Sequence, residues 1–229
     1  MSIENKNLEC GHHSCVSLVP IFDHLDCEHM EEIRSLTQSA NYQKGEIIFR
    51  AGDQADTLYI VNKGKIRIYR LSESGKEQLV RILNPGDFTG ELTIFKKDFH
   101  ESFGEAVEAT DVCMIRQSDF QELLLKFPSI SLKILAEFSM RLEQSEKQTT
   151  RFATEKVETR LALFLAECIS HDQSNEITLP MSKKDLASYL GTTPETISRK
   201  LAELENQGYI EQKKQKKIKI INLDGLLLV

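Results

Sequence analysis

No apolar run in this chain approaches the ~20 residues that a bilayer-spanning helix needs, so a transmembrane protein is not expected. The first dozen residues carry no basic-then-apolar leader, and a cytoplasmic protein with no membrane partner is the expectation that follows. Cysteine is scarce: there are five, which in that compartment read as thiols, metal ligands or redox sensors rather than a structural disulfide framework. Paired carboxylates, a Gly-rich phosphate loop and a nucleophile–base–acid triad are also lacking. No cysteine has an obvious base and oxyanion donor nearby, so an enzyme is not expected.

What is there is a globular composition, 28% charged and 40% apolar over 229 residues, which gives room for two domains with cores of their own. The net charge of −6 argues against a nucleic-acid partner until it is divided along the chain. Residues 1–150 hold 17 basic against 24 acidic side chains, giving −7, while 151–229 hold 12 against 11, giving +1. Within 181–219 the count is 9 against 5, giving +4, and a local patch of that kind sets the field a phosphate backbone meets.

The organisation is read from changes of period. Residues 1–17 are polar and form a tail holding CGHHSC, with Cys10, His12, His13 and Cys15. Phe22, Leu25, Met30, Ile33 and Leu36 predict a helix within 20–40. From 41 to 116, short β-rich runs (EIIF, TLYIV, KIRIYRL, EQLVRIL, AVEAT, VCMI) alternate with Gly- and Pro-Gly-containing turns, the pattern of an antiparallel roll with a pocket-sized interior. Asp119 begins a short helix that Pro128 interrupts, and 129–152 then run without Gly or Pro. Ile130 and Ile134 are expected to pack this helix on its own roll. Leu135, Phe138, Leu142, Ser145, Thr149 and Phe152 recur at alternating spacings of 3 and 4, a coiled-coil seam suited to a homodimer, and its second half is polar. The boundaries read from this are a tail at 1–17, a β-roll at 18–127, a long helix suited to dimerisation at 128–153 and a separate C-terminal domain at 154–229.

The most specific signal is MSKKDLASYLGTTPETISRKLAELENQGYIEQ. Ser182 and Asp185 open one helix as a capping-box-like start. Gly191 makes a turn, Thr193 caps a second helix, and Pro194 takes its first position, where a missing N–H costs nothing. Ile197, Leu201 and Leu204 face inward, leaving Glu195, Ser198 and Arg199 on the opposite face at i, i+3, i+4. With Thr193 and Thr196 beside them, these residues form the reading end of a helix-turn-helix. Arginine pairs bidentately with guanine, and glutamate accepts from cytosine N4. The competing structural reading is a Glu195–Arg199 surface ion pair. YIEQKKQKKIKIIN then reads as a hairpin wing whose Lys213, Lys214, Lys216 and Lys217 suit phosphate contact.

On these residues the chain resembles the CRP/FNR family of bacterial transcription regulators over about 18–225, most closely the FNR-like (FLP-type) proteins of low-GC Gram-positive bacteria. The resemblance implies an α+β chain with a cyclic-nucleotide-binding-like β-roll, a long dimerisation helix and a C-terminal winged helix-turn-helix. It further implies a homodimer on double-stranded DNA at a TTGA-like palindrome, with RNA polymerase as a further partner. GDFTGELTIF is typical of the family's roll, yet Glu101 and Ser102 stand where the cAMP-binding branch has an Arg-Ser pair. A carboxylate there repels a cyclic phosphate, so cAMP is not the expected effector, while another small ligand in the roll stays open.

The redox branch places an iron–sulfur cluster between N-terminal cysteines and a roll cysteine, a position that Cys113 in EATDVCMI matches. The resemblance therefore brings Cys10 and Cys15 near Cys113. Their spacing departs from the cluster pattern, and Cys27, expected to be core, would have to join as fourth thiolate. A disulfide switch needing no cofactor, an iron–sulfur cluster, a zinc ion and an inert tail all remain readings at this stage. Cys168 reads as a small buried apolar residue.

Overall fold

The computed structural model describes residues 15–91, 95, 98–169 and 175–229. They form two compact units, one of residues up to Arg70 together with Ile82–Ser139, the other of Leu71–Arg81 with Met140–Val229.

In the first unit a short turn of helix, α1 (Cys15–Leu18), precedes α2 (Cys27–Ser35). Asp26 starts α2 by accepting from the His29 N–H at 2.9 Å. Phe22 and Leu25 thus fall in turns ahead of the helix rather than on it, though Phe22 is fully buried. The chain leaves the helix at Leu36 and enters a strand, β1 (Gln38–Tyr42), where the sequence period had predicted helix as far as 40. The roll continues with β2 (Ile47–Phe49), β3 (Gln54–Ala55), β4 (Thr57–Lys63), β5 (Ile66–Leu71), β6 (Glu77–Leu83), β7 (Phe88–Thr89), β8 (Asp98–Phe99), β9 (Phe103–Ala106) and β10 (Thr110–Arg116). The run AVEAT is not a strand of its own: Ala106 ends β9, Thr110 opens β10 and 107–109 turn between them.

Two four-stranded sheets result, in the orders β1-β10-β4-β7 and β2-β9-β5-β6, with a β3-β8 pair beside them. Strand alternation divides the core in two. Val61 and Val112 join Phe49, Ile66, Ile68 and Leu83 in one apolar cluster. Leu58, Ile60, Cys113 and Ile115 point the other way, into a second cluster. That second cluster is closed by Val16, Ile33, Phe120, Leu123, Ile130 and Ile134 from α1, α2, α3 (Gln117–Lys126) and α4 (Pro128–Thr154). Two residues of the expected polar tail, Cys15 and Val16, are buried there.

Helix α4 has 27 residues and opens on Pro128, so it follows α3 with one residue between them. In the second unit α5 (Val157–Glu167) comes next, then β11 (Glu176–Thr178), α6 (Lys183–Tyr189), α7 (Pro194–Asn206), β12 (Ile210–Gln212), β13 (Lys217–Ile220) and α8 (Leu223–Leu227). The three strands form a sheet in the order β11-β13-β12. No described helix is long and apolar enough to cross a membrane.

Candidate nucleic-acid interface and thiol site

The interface is built from α6 outward. Ser182 caps α6 by accepting from the Asp185 N–H at 3.0 Å. Leu186, Ala187 and Leu190 are buried, and the small Ala187 side chain leaves room for α7 to pack on α6. Gly191 then turns the chain at φ +67°, in the left-handed region that side chains resist. A Cβ there would also lie 3.2 Å from the Phe152 ring. Thr193 caps α7 by accepting from the Thr196 N–H at 3.3 Å, with Pro194 at the first position. Ile197, Leu201 and Leu204 are each fully buried, which fixes the rotation of α7.

That rotation leaves Glu195, Ser198 and Arg199 exposed together at the helix start. Arg199 turns toward Glu203, Nε to Oε1 3.7 Å, rather than toward Glu195, and is 68% exposed. An exposed pair of this kind contributes little, so the guanidinium is available to a stronger acceptor. Lys200, on the flank, is held by Glu158 and Glu203.

At the wing, β12 and β13 are joined through Gln215 and Lys216, both at positive φ (59° and 62°), the two left-handed residues of a tight hairpin turn. Lys213 and Lys217 both reach Glu176 on β11, at 2.8 and 2.9 Å. Hydrogen bonds from those two ammonium groups hold the Glu176 carboxyl at about 2, well below its usual range. Lys213, a candidate phosphate contact by sequence, is thus already paired within the wing. Lys214 and Lys216 stand exposed at the tip. Glu176 and Glu203 were both missed in the sequence reading.

The seam candidates divide on α4. Leu135 and Leu142 are 58% and 61% exposed, and Ser145 and Thr149 are exposed, with the Thr149 hydroxyl donating to the Ser145 carbonyl at 2.8 Å. Phe138 instead packs on its own unit's core and edge-on against Phe95. Phe152 lies under the Arg160 guanidinium, 4.9 Å from ring centroid to Cζ, and against Gly191. Leu132, absent from the seam as read from sequence, is 69% exposed.

The thiol site lies in the helical layer. Cys113 on β10 is opposite Ser39 of β1 and Ile60 of β4, facing α1. Its sulfur is bonded to that of Cys15, with the Cα atoms 6.5 Å apart and 98 residues between them in sequence. Both residues are about 95% buried, on the far side of the sheet from the roll's Phe49–Val112 cluster. Cys27, expected to be core, is the exposed first residue of α2 and is also disulfide-bonded. Cys10, His12 and His13 lie outside the described residues. A cluster takes four thiolates, and the Cys15 and Cys113 sulfurs are bonded to each other. Among the described residues no group of three metal-ligating side chains comes together. The described donor set therefore fits neither an iron–sulfur cluster nor zinc. Cys168 is half-buried with a free thiol pushed up to about 11, chiefly by burial.

In the roll, Glu101 is exposed and ion-paired with Arg70, so the position that would face a cyclic phosphate carries a carboxylate already engaged with a surface cation. Glu91 is buried.

Comparison with known proteins bears on both sites. Residues 39–127 match the cyclic nucleotide-binding domain, and 159–228 match the Crp-like helix-turn-helix domain. The chain is 36% identical over 214 residues to the probable transcriptional regulator flp of Lacticaseibacillus casei, covering 93% of this chain and 97% of that protein. It is 33% identical over 190 residues to the anaerobic regulatory protein of Haemophilus influenzae, covering 81% and 73%. Among solved structures, FixK2 from Bradyrhizobium japonicum superposes with a TM-score of 0.71 at 27% identity, covering 83% of this chain and 95% of that one.

Proposed function

This chain belongs to the CRP/FNR family of transcription regulators, and from that premise we propose that it is a cytoplasmic homodimer, without catalytic activity, that reads a TTGA-like palindrome and responds to redox state through Cys15 and Cys113. The observation that carries the DNA half is the face of α7. Three residues with base-reading chemistry are exposed together because three leucine-type residues behind them are buried. Glu195 and Arg199 read one G·C pair between them, Ser198 a neighbouring base, and Thr193 and Thr196 line the entry. Lys214 meets phosphate directly, and Lys213 does so by exchanging Glu176 for a phosphate oxygen. The exposed leucines of α4 support pairing that presents two such helices, one per protomer, and RNA polymerase is the partner at a promoter.

The sensing half rests on the Cys15–Cys113 bond. A dithiol reductant delivers two electrons and two protons to the two sulfurs and leaves as a disulfide; a low-molecular-weight disulfide reverses the exchange. Reduction unties α1 from β10 and leaves only apolar packing, by Val16, Val19, Ile21 and Phe22, to hold the segment on the core. The paired Glu101 supports an effector other than cAMP.

The test is a gel-shift titration of a TTGA palindrome against a scrambled duplex, with oxidised and dithiol-reduced protein at fixed salt. A preference for the palindrome that changes between the two redox forms is the expected result. Equal affinity for both duplexes would remove the sequence-reading role, and equal affinity of both redox forms would remove the thiol switch. A chain that bound no duplex at low salt would instead be a protein-binding module.

A further inference from the structure

The second unit contains a cavity of about 360 Å³ that neither the DNA-reading face nor the thiol pair uses. It is lined by the C-terminal half of α4, by α5 and by the end of α6, so it spans the two-residue joint at 155–156. We infer that this cavity binds a small organic anion carrying a flat ring, of nucleoside-monophosphate size.

Charge is the first argument. Lys147, Arg151 and Arg160 line the cavity against a single lining carboxylate, Glu167. Arg151 is paired with Glu167, and Lys147 with Glu143 outside the cavity. The Arg160 backbone N–H is used within its helix, bonding the Lys156 carbonyl, but its side-chain Nε is shut off from solvent with no acceptor among the described residues. Its guanidinium is stacked over Phe152, which fixes the plane of the fork while leaving the edge N–H groups open. A guanidinium held flat, with its donors unmet, suits bidentate recognition of a phosphate or carboxylate.

Shape is the second argument. The volume falls within the range of about 300–1,000 Å³ typical of small-molecule sites. Phe164 and Tyr189, with ring centroids 5.8 Å apart, give an aromatic wall for a flat ring. Gln148 donates to the Tyr189 carbonyl at 3.1 Å, which leaves its amide oxygen as an acceptor beside that wall.

Access is the third. The lining positions 144, 147, 148 and 151 sit roughly opposite the exposed Leu142 and Thr149 round an α-helix at ~100° per residue. A dimer seam through Leu142 therefore leaves the cavity open. Because the cavity bridges α4 and α5, occupancy braces the joint that leads into the DNA-reading helices, and ligand and DNA affinities become linked.

The experiment is calorimetric titration of the full chain with adenosine 5′-monophosphate, and separately with benzoate and with inorganic phosphate. The wild type is compared with Arg160→Met and with Lys147→Gln, an exposed position whose change leaves the fold intact. Saturable binding of the nucleotide is expected, tighter than either fragment, at least tenfold weaker in Arg160→Met and measurably weaker in Lys147→Gln. Three results would overturn the inference. One is no saturable binding up to about 5 mM; another is equal nucleotide affinity in all three proteins; the third is phosphate binding as tightly as the nucleotide.

Discussion

At the residue scale the site turns on which charges are already paired. Arg199 has only an exposed, long contact to Glu203, so it gives up little on meeting a guanine. Arg199→Ala should weaken palindrome binding by about 1–3 kcal/mol and flatten the preference at one base pair. A gel shift against single-base variants of the palindrome checks both effects. Glu176 is the opposite case, because it holds two lysines of the wing. Its folded-state value of about 2 lies below the ordinary 4.5. Its contribution is therefore complete above pH 4.5 and is lost as pH falls through about 2. A carboxyl NMR titration should place its midpoint near 2. Glu176→Gln should free Lys213 and Lys217 and steepen the salt dependence of DNA binding by about one to two phosphate contacts. An unchanged salt slope would mean that neither lysine reaches the duplex. The exposure of Glu195, Ser198 and Arg199 was legible in the sequence, since three buried positions at helical spacing determine which residues face outward. Glu176 was not legible, because it meets Lys217 only through the register of β11 on β13, and register is a tertiary property.

At the element scale, α4 shows where a periodic pattern underdetermines contact. Spacings of 3 and 4 fit one frame through Leu135, Phe138, Leu142 and Phe152, and another through Leu132, Leu135, Leu142 and Thr149. The second frame keeps the most exposed residues together, because Phe138 packs on its own core and Phe152, though 37% exposed, is engaged by Arg160. Leu142→Asp should therefore raise the dimer dissociation constant at least tenfold while leaving the thermal midpoint of the protomer nearly unchanged. Phe138→Ala should do the reverse, costing about 1–3 kcal/mol of stability with little effect on association. Sedimentation velocity and thermal melts on the two variants separate the frames. The roll's strands were largely legible from their Gly and Pro-Gly punctuation. Strand β1 was not, because QSANY carries no alternating apolar pattern and is extended by pairing with β10 rather than by its own propensity. The same blind spot hid the burial of Cys15: a polar-looking tail gave no hint that two of its last residues complete a core whose other walls come from α2, β4, β7, β10, α3 and α4.

At the scale of the whole molecule, the Cys15–Cys113 bond belongs wholly to one of the two compact units. Closing a loop of 98 residues restricts the unfolded chain far more than it alters the folded one. In a chain of two cooperative units, such a bond raises the stability of its own unit and leaves the other alone. Calorimetry of the oxidised protein should therefore resolve two transitions. In Cys113→Ala, which leaves the bond at Cys27 in place, only the transition of the roll unit should move. The loss of about 2–5 kcal/mol corresponds to a fall on the order of 10 °C for a unit of this size. The wild type treated with a dithiol should show the same transition displaced. Reoxidation with a small disulfide should restore it in the wild type and not in the variant, since only the wild type has both sulfurs to rejoin. If both transitions moved together in Cys113→Ala, the two units would be unfolding as one, and a redox signal would then reach the DNA-reading helices through stability alone. If only the first moved, a redox signal would have to travel through the folded state of the roll. The salt-controlled gel shift on oxidised and reduced protein would then measure the coupling directly, as the ratio of the two affinities.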